Sequence, residues 1–91
     1  PQIIFKIINQ QNEMQFLVPG HHNLIVTDHT YVSFFAFGEQ VAEVTLSGVK
    51  YETINETIEI GTSRFTSNKI LSSDASISFS SGICLMIRSM D

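Results

Sequence analysis

The chain has no tryptophan, one cysteine, two prolines and only five basic residues. Each scarcity excludes something. With a single cysteine, Cys84, no disulfide forms within the chain, so the fold needs no oxidising compartment. Five Lys and Arg against nine Asp and Glu give a formal net charge of −4 and a pI near 5.2. That balance leaves no basic face for nucleic acid. No stretch approaches the roughly 18 apolar residues of a membrane-spanning helix. The start, "PQIIFKIINQQ", has neither the long apolar core nor the cleavage site of a signal peptide. A soluble chain with no nucleic-acid partner and no membrane span is expected. Charged residues make up 15% of the chain, against roughly 25% in an average soluble domain. Ser, Thr, Asn and Gln supply the polarity instead. A surface with little charge to desolvate associates easily.

What is present is a period of two. Ala42, Val44 and Leu46 alternate with Glu43, Thr45 and Ser47. Val49 and Tyr51 alternate with Lys50 and Glu52. Ile58 and Ile60 alternate with Thr57 and Glu59, and Ile77 and Phe79 with Ser76, Ser78 and Ser80. Side chains on a strand point alternately to opposite faces, so each stretch predicts a strand with one wet face. No ten-residue segment carries a helical stripe. Turn residues recur at Asn9 to Glu13, Pro19-Gly20, Thr27-Asp28-His29, Phe37-Gly38-Glu39, Ser47-Gly48, Ile54-Asn55-Glu56, Gly61-Thr62-Ser63, Ser72-Ser73-Asp74 and Ser81-Gly82. The spacing predicts one all-β domain over residues 1–91. It is an antiparallel sandwich, jelly roll or small barrel of about eight short strands.

Three runs break the alternation: Ile3-Ile4-Phe5 with Ile7-Ile8, Phe34-Phe35-Ala36-Phe37, and Ile83 to Ile87. A strand apolar on both faces needs cover on both. Two readings stay open. In one, an outward face meets another chain, with Phe34, Phe35, Phe37, Ile83, Leu85 and Ile87 as the candidate oligomer interface. In the other, a twisted strand crosses from one layer to the next. Cys84, inside the last run, is expected to be a buried, inert thiol.

All three histidines lie in "PGHHNLIVTDHT", residues 19–30. A transition-metal site needs three or four converging ligands. His21 and His22 are neighbours, so on a strand they face opposite ways. His29 lies at the far end of a strand predicted to begin at Leu24-Ile25-Val26, with Asp28-His29 at a hairpin tip. The stretch also lacks the His-x-His pair and following glutamate of the cupins. No metal site is expected, and the histidines read as polar loop residues. His21, His22, Asn23, Tyr31 and Tyr51 remain possible ligand contacts, although both tyrosines fall in phase with strand cores.

Other chemistry is sparse. Asn55-Glu56-Thr57 fits an N-glycosylation triplet. Glu39, Glu43, Glu52, Glu56 and Glu59 lack the spacing of a calcium loop and read as a solvated sheet face. There is no nucleophile elbow and no Gly-rich phosphate loop. No catalytic residue and no cofactor is expected, and the chain reads as non-enzymatic.

In style, "YVSFFAFGEQVAEVTLSGVKY", "ETIEIGTSRF" and "ASISFSSGICLMI" resemble small β-domains of bacteriophage and viral virion proteins: decoration, fibre and tail-tip domains. The resemblance implies a structural protein of a virion, self-assembling as a trimer or higher ring and contacting other structural proteins. It carries over no functional residues. The alternative reading is a carbohydrate- or receptor-binding module, with glycan as the ligand. A third is a small regulatory protein that adds a strand to a target.

Overall fold

The computed structural model describes residues 3–8, 12–27 and 31–90, with the backbone course alone for 3–8. Its strands are β1 (Ile3–Ile8), β2 (Asn12–Leu17), β3 (Gly20–Asn23), β4 (Tyr31–Ser47), β5 (Thr53–Ile58), β6 (Ser76–Phe79) and β7 (Ser81–Ser89). The fold is all-β and antiparallel, with seven strands among the described residues. They follow the order β1-β2-β7-β4-β6-β3, and β5 pairs with β4. The sheet curls because β4 belongs to both halves. Its first part, Tyr31 to Phe37, pairs with β7, and its last part, Val41 to Ser47, pairs with β5 and β6.

That crossing explains one of the two-faced runs. Phe37-Gly38-Glu39 was expected as a turn, yet it lies inside a strand of 17 residues. Gly38, at φ +82°, supplies the bend, a conformation most side chains resist. Glu43, at φ 58°, adds a second irregularity. There the expected alternation slips: Val41 and Val44 are both fully buried, and Ala42 is not. Gly82, at φ +94°, lies inside β7 instead of in the expected turn. A Cβ there would come within 2.4 Å of the Gln40 carbonyl oxygen, so only glycine lets β7 run this close to β4.

The core lies inside the curl. Phe34, Leu46, Ile58, Ile77 and Cys84 contribute side chains that water does not reach. The alternation in Cys84, Met86 and Arg88 turns all three inward. Burial pushes the Cys84 thiol up to about 12, against a smaller downward pull from its hydrogen bond with the Phe35 backbone. Arg88 is held by the Ile25 carbonyl, which accepts from Nη1 at 2.6 Å, and by Glu13 at 3.5 Å. Glu13 stands directly across from it in the β2–β7 ladder. Burial lowers the Arg88 guanidinium from its ordinary pKa, and the Glu13 carboxylate opposes that shift.

Two local expectations fail. The strand near the histidines is Gly20–Asn23 and ends before Leu24. Ile25 and Val26 are exposed, and no strand covers them. Ile54-Asn55-Glu56 lies within β5, where Asn55 takes φ 51°. Among the described residues no helix is long and apolar enough to cross a membrane.

Candidate functional site

Residues 59–75 connect β5 to β6 without a strand. Loops this long in a compact fold usually carry function. This one is stitched down on two sides. The Phe34 N–H donates to the Phe65 carbonyl at 2.9 Å, and Val32 and Asn68 exchange backbone hydrogen bonds at 2.8 Å each. The Ser67 N–H donates to Ser33 Oγ at 2.9 Å. On the other side, the Lys50 N–H donates to the Lys69 carbonyl and the Leu71 N–H to the Gly48 carbonyl, both at 2.9 Å.

Between this strap and the start of β5 lies a cleft of about 170 Å³. Its buried lining is Phe65 and Asn68, and Tyr51, 56% exposed, lies at its rim with Arg64. Glu52, Thr53 and Glu56 come from β5 and the residue before it, and Arg64 and Thr66 from the strap. Thr53 fixes the start of β5, because its Oγ1 accepts from the Leu46 N–H at 3.2 Å and donates to the Val44 carbonyl at 3.0 Å. Glu52 Oε2 accepts from the Gly48 N–H at 2.8 Å. The Arg64 guanidinium pairs with the Glu56 carboxylate and lies 5.0 Å over the Phe65 ring. The Lys50 ammonium lies 5.2 Å from the centroid of the Tyr51 ring, which shows that this face accepts a cation.

Two carboxylates, the partly exposed Tyr51 ring and two threonine hydroxyls around a narrow space suit a flat, positively charged organic ring. The volume falls below the roughly 300–1,000 Å³ of a typical ligand pocket. The space suits a single ring rather than a whole drug-sized ligand. Among the described residues, no three His, Cys, Asp or Glu side chains gather as a metal-ligand set.

The residues singled out in the sequence are not brought together. Tyr51 lies in the cleft; it was expected in phase with a core, and it points outward. His21, His22 and Asn23 lie on β3, which pairs with β6. His21 and Asn23 are exposed, whereas His22 is 4% exposed. So His22 is no polar loop residue: its Nε2 meets the Val18 carbonyl oxygen at 2.6 Å and its ring stacks on Phe79. Tyr31 opens β4 with Lys69 Nζ over its ring. Asp28 and His29 lie outside the described residues. Glu52 and Glu56 belong to the cleft and not to an open sheet face.

Of the candidate interface, Phe34 is a core residue with no exposed surface, because it alternates with Phe35 and faces the inside of the curl. Phe35, Phe37, Ile83, Leu85 and Ile87 share the opposite face. Phe35 stands across from Leu85 and Phe37 across from Ile83, and directly opposed residues share a side. Met14 and Phe16 extend this face on β2, with the Phe16 and Phe37 rings edge to face at 4.8 Å. Sequence reasoning missed Arg64, Phe65, Thr66 and Asn68. Their signal was the length of "GTSRFTSN" and its neighbours without alternation.

The sequence model of the family described as "Thiamin pyrophosphokinase, vitamin B1 binding domain" matches residues 10–84. That range contains every cleft residue. The thiamine pyrophosphokinase of Bacillus subtilis (strain 168) is 37% identical over 90 residues, which is 98% of this chain and 42% of that protein. The crystal structure of the Bacillus subtilis thiamine pyrophosphokinase superposes with a TM-score of 0.91 over 94% of this chain and 41% of its own. That of Geobacillus thermodenitrificans thiamin pyrophosphokinase gives 0.86 at 39% identity, covering 94% and 40%. The chain thus spans under half the length of these relatives. These matches overturn the virion reading, with its phage, capsid-decoration, fibre and tail assignments, and the alternative of a glycan- or receptor-binding module. They also overturn the expectation of a non-enzymatic protein, because the relatives are kinases by name. The shared features with virion domains were short polar strands and glycine turns, which many small β folds have.

Proposed function

Because this chain belongs to the thiamin pyrophosphokinase vitamin B1 binding domain family, we propose that its cleft at Tyr51 holds thiamin. Thiamin is an aminopyrimidine joined through a methylene bridge to a cationic thiazolium, which bears a hydroxyethyl arm. The pyrimidine suits the narrow interior, where the Thr53 and Thr66 hydroxyls, which donate to the Val44 and Ser63 carbonyls, keep lone pairs to accept from its amino group and Asn68 closes the base. The thiazolium meets Tyr51 and the carboxylates of Glu52 and Glu56 at the mouth. A cation on an aromatic face contributes about 0.5–2 kcal/mol. The hydroxyethyl arm then points to solvent, open to a pyrophosphoryl donor. The segment thereby serves as the acceptor site, and pyrophosphoryl transfer is proposed for the whole protein.

The observation that supports this most is the family match across all the cleft residues. Calorimetric titration with thiamin tests it. Tyr51→Ala is expected to weaken binding about three- to thirtyfold, the range of a lost cation–π contact. Glu56→Gln is expected to weaken it further when combined. No binding to the parent chain, or full affinity in the double variant, would overturn the assignment.

A further inference from the structure

We propose that Asn68 is a positioning residue of this site: it holds the backbone of Tyr51 so that the ring stays over the mouth of the cleft. The proposal rests on the thiamin reading for its functional meaning, and on geometry alone for its structural content. Val49 pairs with Ile70 in an isolated bridge, and the Lys50 N–H reaches the Lys69 carbonyl. Continued one step, the ladder would pair Tyr51 with the backbone of Asn68. That backbone is already committed, because both its N–H and its carbonyl bond Val32. The Asn68 side chain takes its place. Oδ1 accepts from the Tyr51 N–H at 2.9 Å, and Nδ2 donates to the Tyr51 carbonyl at 3.0 Å. Oδ1 also accepts from the Lys69 N–H at 2.9 Å.

A side-chain amide carries the same donor and acceptor as a peptide group, so one residue bridges two strands of chain at once. The clamp fixes the Tyr51 backbone on both sides of its Cα. Meanwhile Tyr51 stays 56% exposed, with the Lys50 ammonium 5.2 Å from its ring centroid, so the backbone clamp carries much of what holds it. Asn68 is 2% exposed, which shields these hydrogen bonds from water. Aspartate keeps the acceptor and loses the donor, setting an oxygen against the Tyr51 carbonyl. Glutamine is one methylene too long to reach in register.

The chain has two tyrosines and no tryptophan. In Tyr31→Phe protein, all tyrosine emission therefore reports on Tyr51. Asn68→Asp in that background is expected to lower the emission anisotropy of Tyr51 while far-UV circular dichroism stays unchanged. Asn68→Ser serves if the aspartate variant fails to fold. Thiamin affinity is expected to fall about tenfold in Asn68→Asp. In a Tyr51→Ala background the same substitution should cost clearly less affinity than in the parent, since part of its effect runs through the ring. Unchanged anisotropy overturns the proposal, and so does an equal loss of affinity in both backgrounds. If the parent chain does not bind thiamin, the thiamin reading fails separately, and the anisotropy alone decides the role of Asn68.

Discussion

The molecule contains two arginine–glutamate pairs in opposite surroundings. Arg88 and Glu13 have side chains 5% and 13% exposed, on the inner face of the sheet. Arg64 and Glu56 are 64% and 38% exposed, at the cleft. The chemistry is the same and the energetics are not. The buried pair is 3.5 Å apart, and Arg88 Nε finds no hydrogen-bond partner. Its charges have left water, and each depends on the other. The exposed pair is solvated on both sides, so its attraction is largely screened and a competing cation can replace it. One pair is committed to the fold, and the other is free to serve a ligand.

Breaking the buried pair should have the largest effect. Glu13→Leu leaves a buried cation without its counter-charge and is expected to cost about 3–5 kcal/mol of stability, read from urea unfolding. Adding Arg88→Met should bring stability back to the parent level or above it. If the double variant stays as weak as the single, the loss came from packing and the contrast drawn here is wrong.

Cys84 shares the inner face and isolates burial from charge pairing. Its folded pKa, about 12, exceeds the ordinary thiol value of 9.0. The neutral thiol is therefore the form the fold favours. Its contribution is complete below pH 9 and is lost as pH rises from 9 towards 12, by up to about 1.4 kcal/mol per pH unit. Urea midpoints should fall across this range in the parent and fall less steeply in Cys84→Val. Parallel slopes would assign the alkaline loss to other groups.

The exposed pair should give the smallest effect on stability. Arg64→Gln is expected to shift it by less than about 0.5 kcal/mol. On the proposed reading, thiamin binds a few-fold more tightly to this variant, because Glu56 no longer has an internal partner. A stability loss matching that of Glu13→Leu would erase the distinction between the two pairs.

The strands were legible where burial imposed a strict period of two. Ile77 and Phe79, and Val44 and Leu46, lie inside as the alternation predicts, and Cys84 is buried as its place in an apolar run leads one to expect. Arg88 was not legible, because the apolar run Ile83 to Ile87 hides the alternation that turns Cys84, Met86 and Arg88 inward. What the period could not show was the course of β4. Gly38 reads as a turn in sequence, but its neighbours keep their ladder partners on either side of the bend. The cleft was half legible. Tyr51 drew notice as a possible ligand contact, although in phase with a core because the Val49–Tyr51 alternation mimics a strand, and Glu52 and Glu56 drew notice as open surface. For Asn68 the only local signal was the long stretch without alternation, because the partners that give it a role, Tyr51 and Val32, are distant in sequence. Family membership rested on the order of residues along the chain, which composition and turn frequency do not encode.

The shared strand β4 also governs how the molecule can open. Phe34 lies in the part paired with β7, and Leu46 in the part paired with β5 and β6. A continuous backbone joins them, so neither half of the sheet can peel away without disturbing the other. Amide protons at these two positions should therefore exchange with solvent at the same slow rate, through one cooperative opening. The strap over residues 59–75 is bonded to this beam at Phe65 and Asn68, and its amides between the bonded points are expected to exchange by smaller, faster fluctuations.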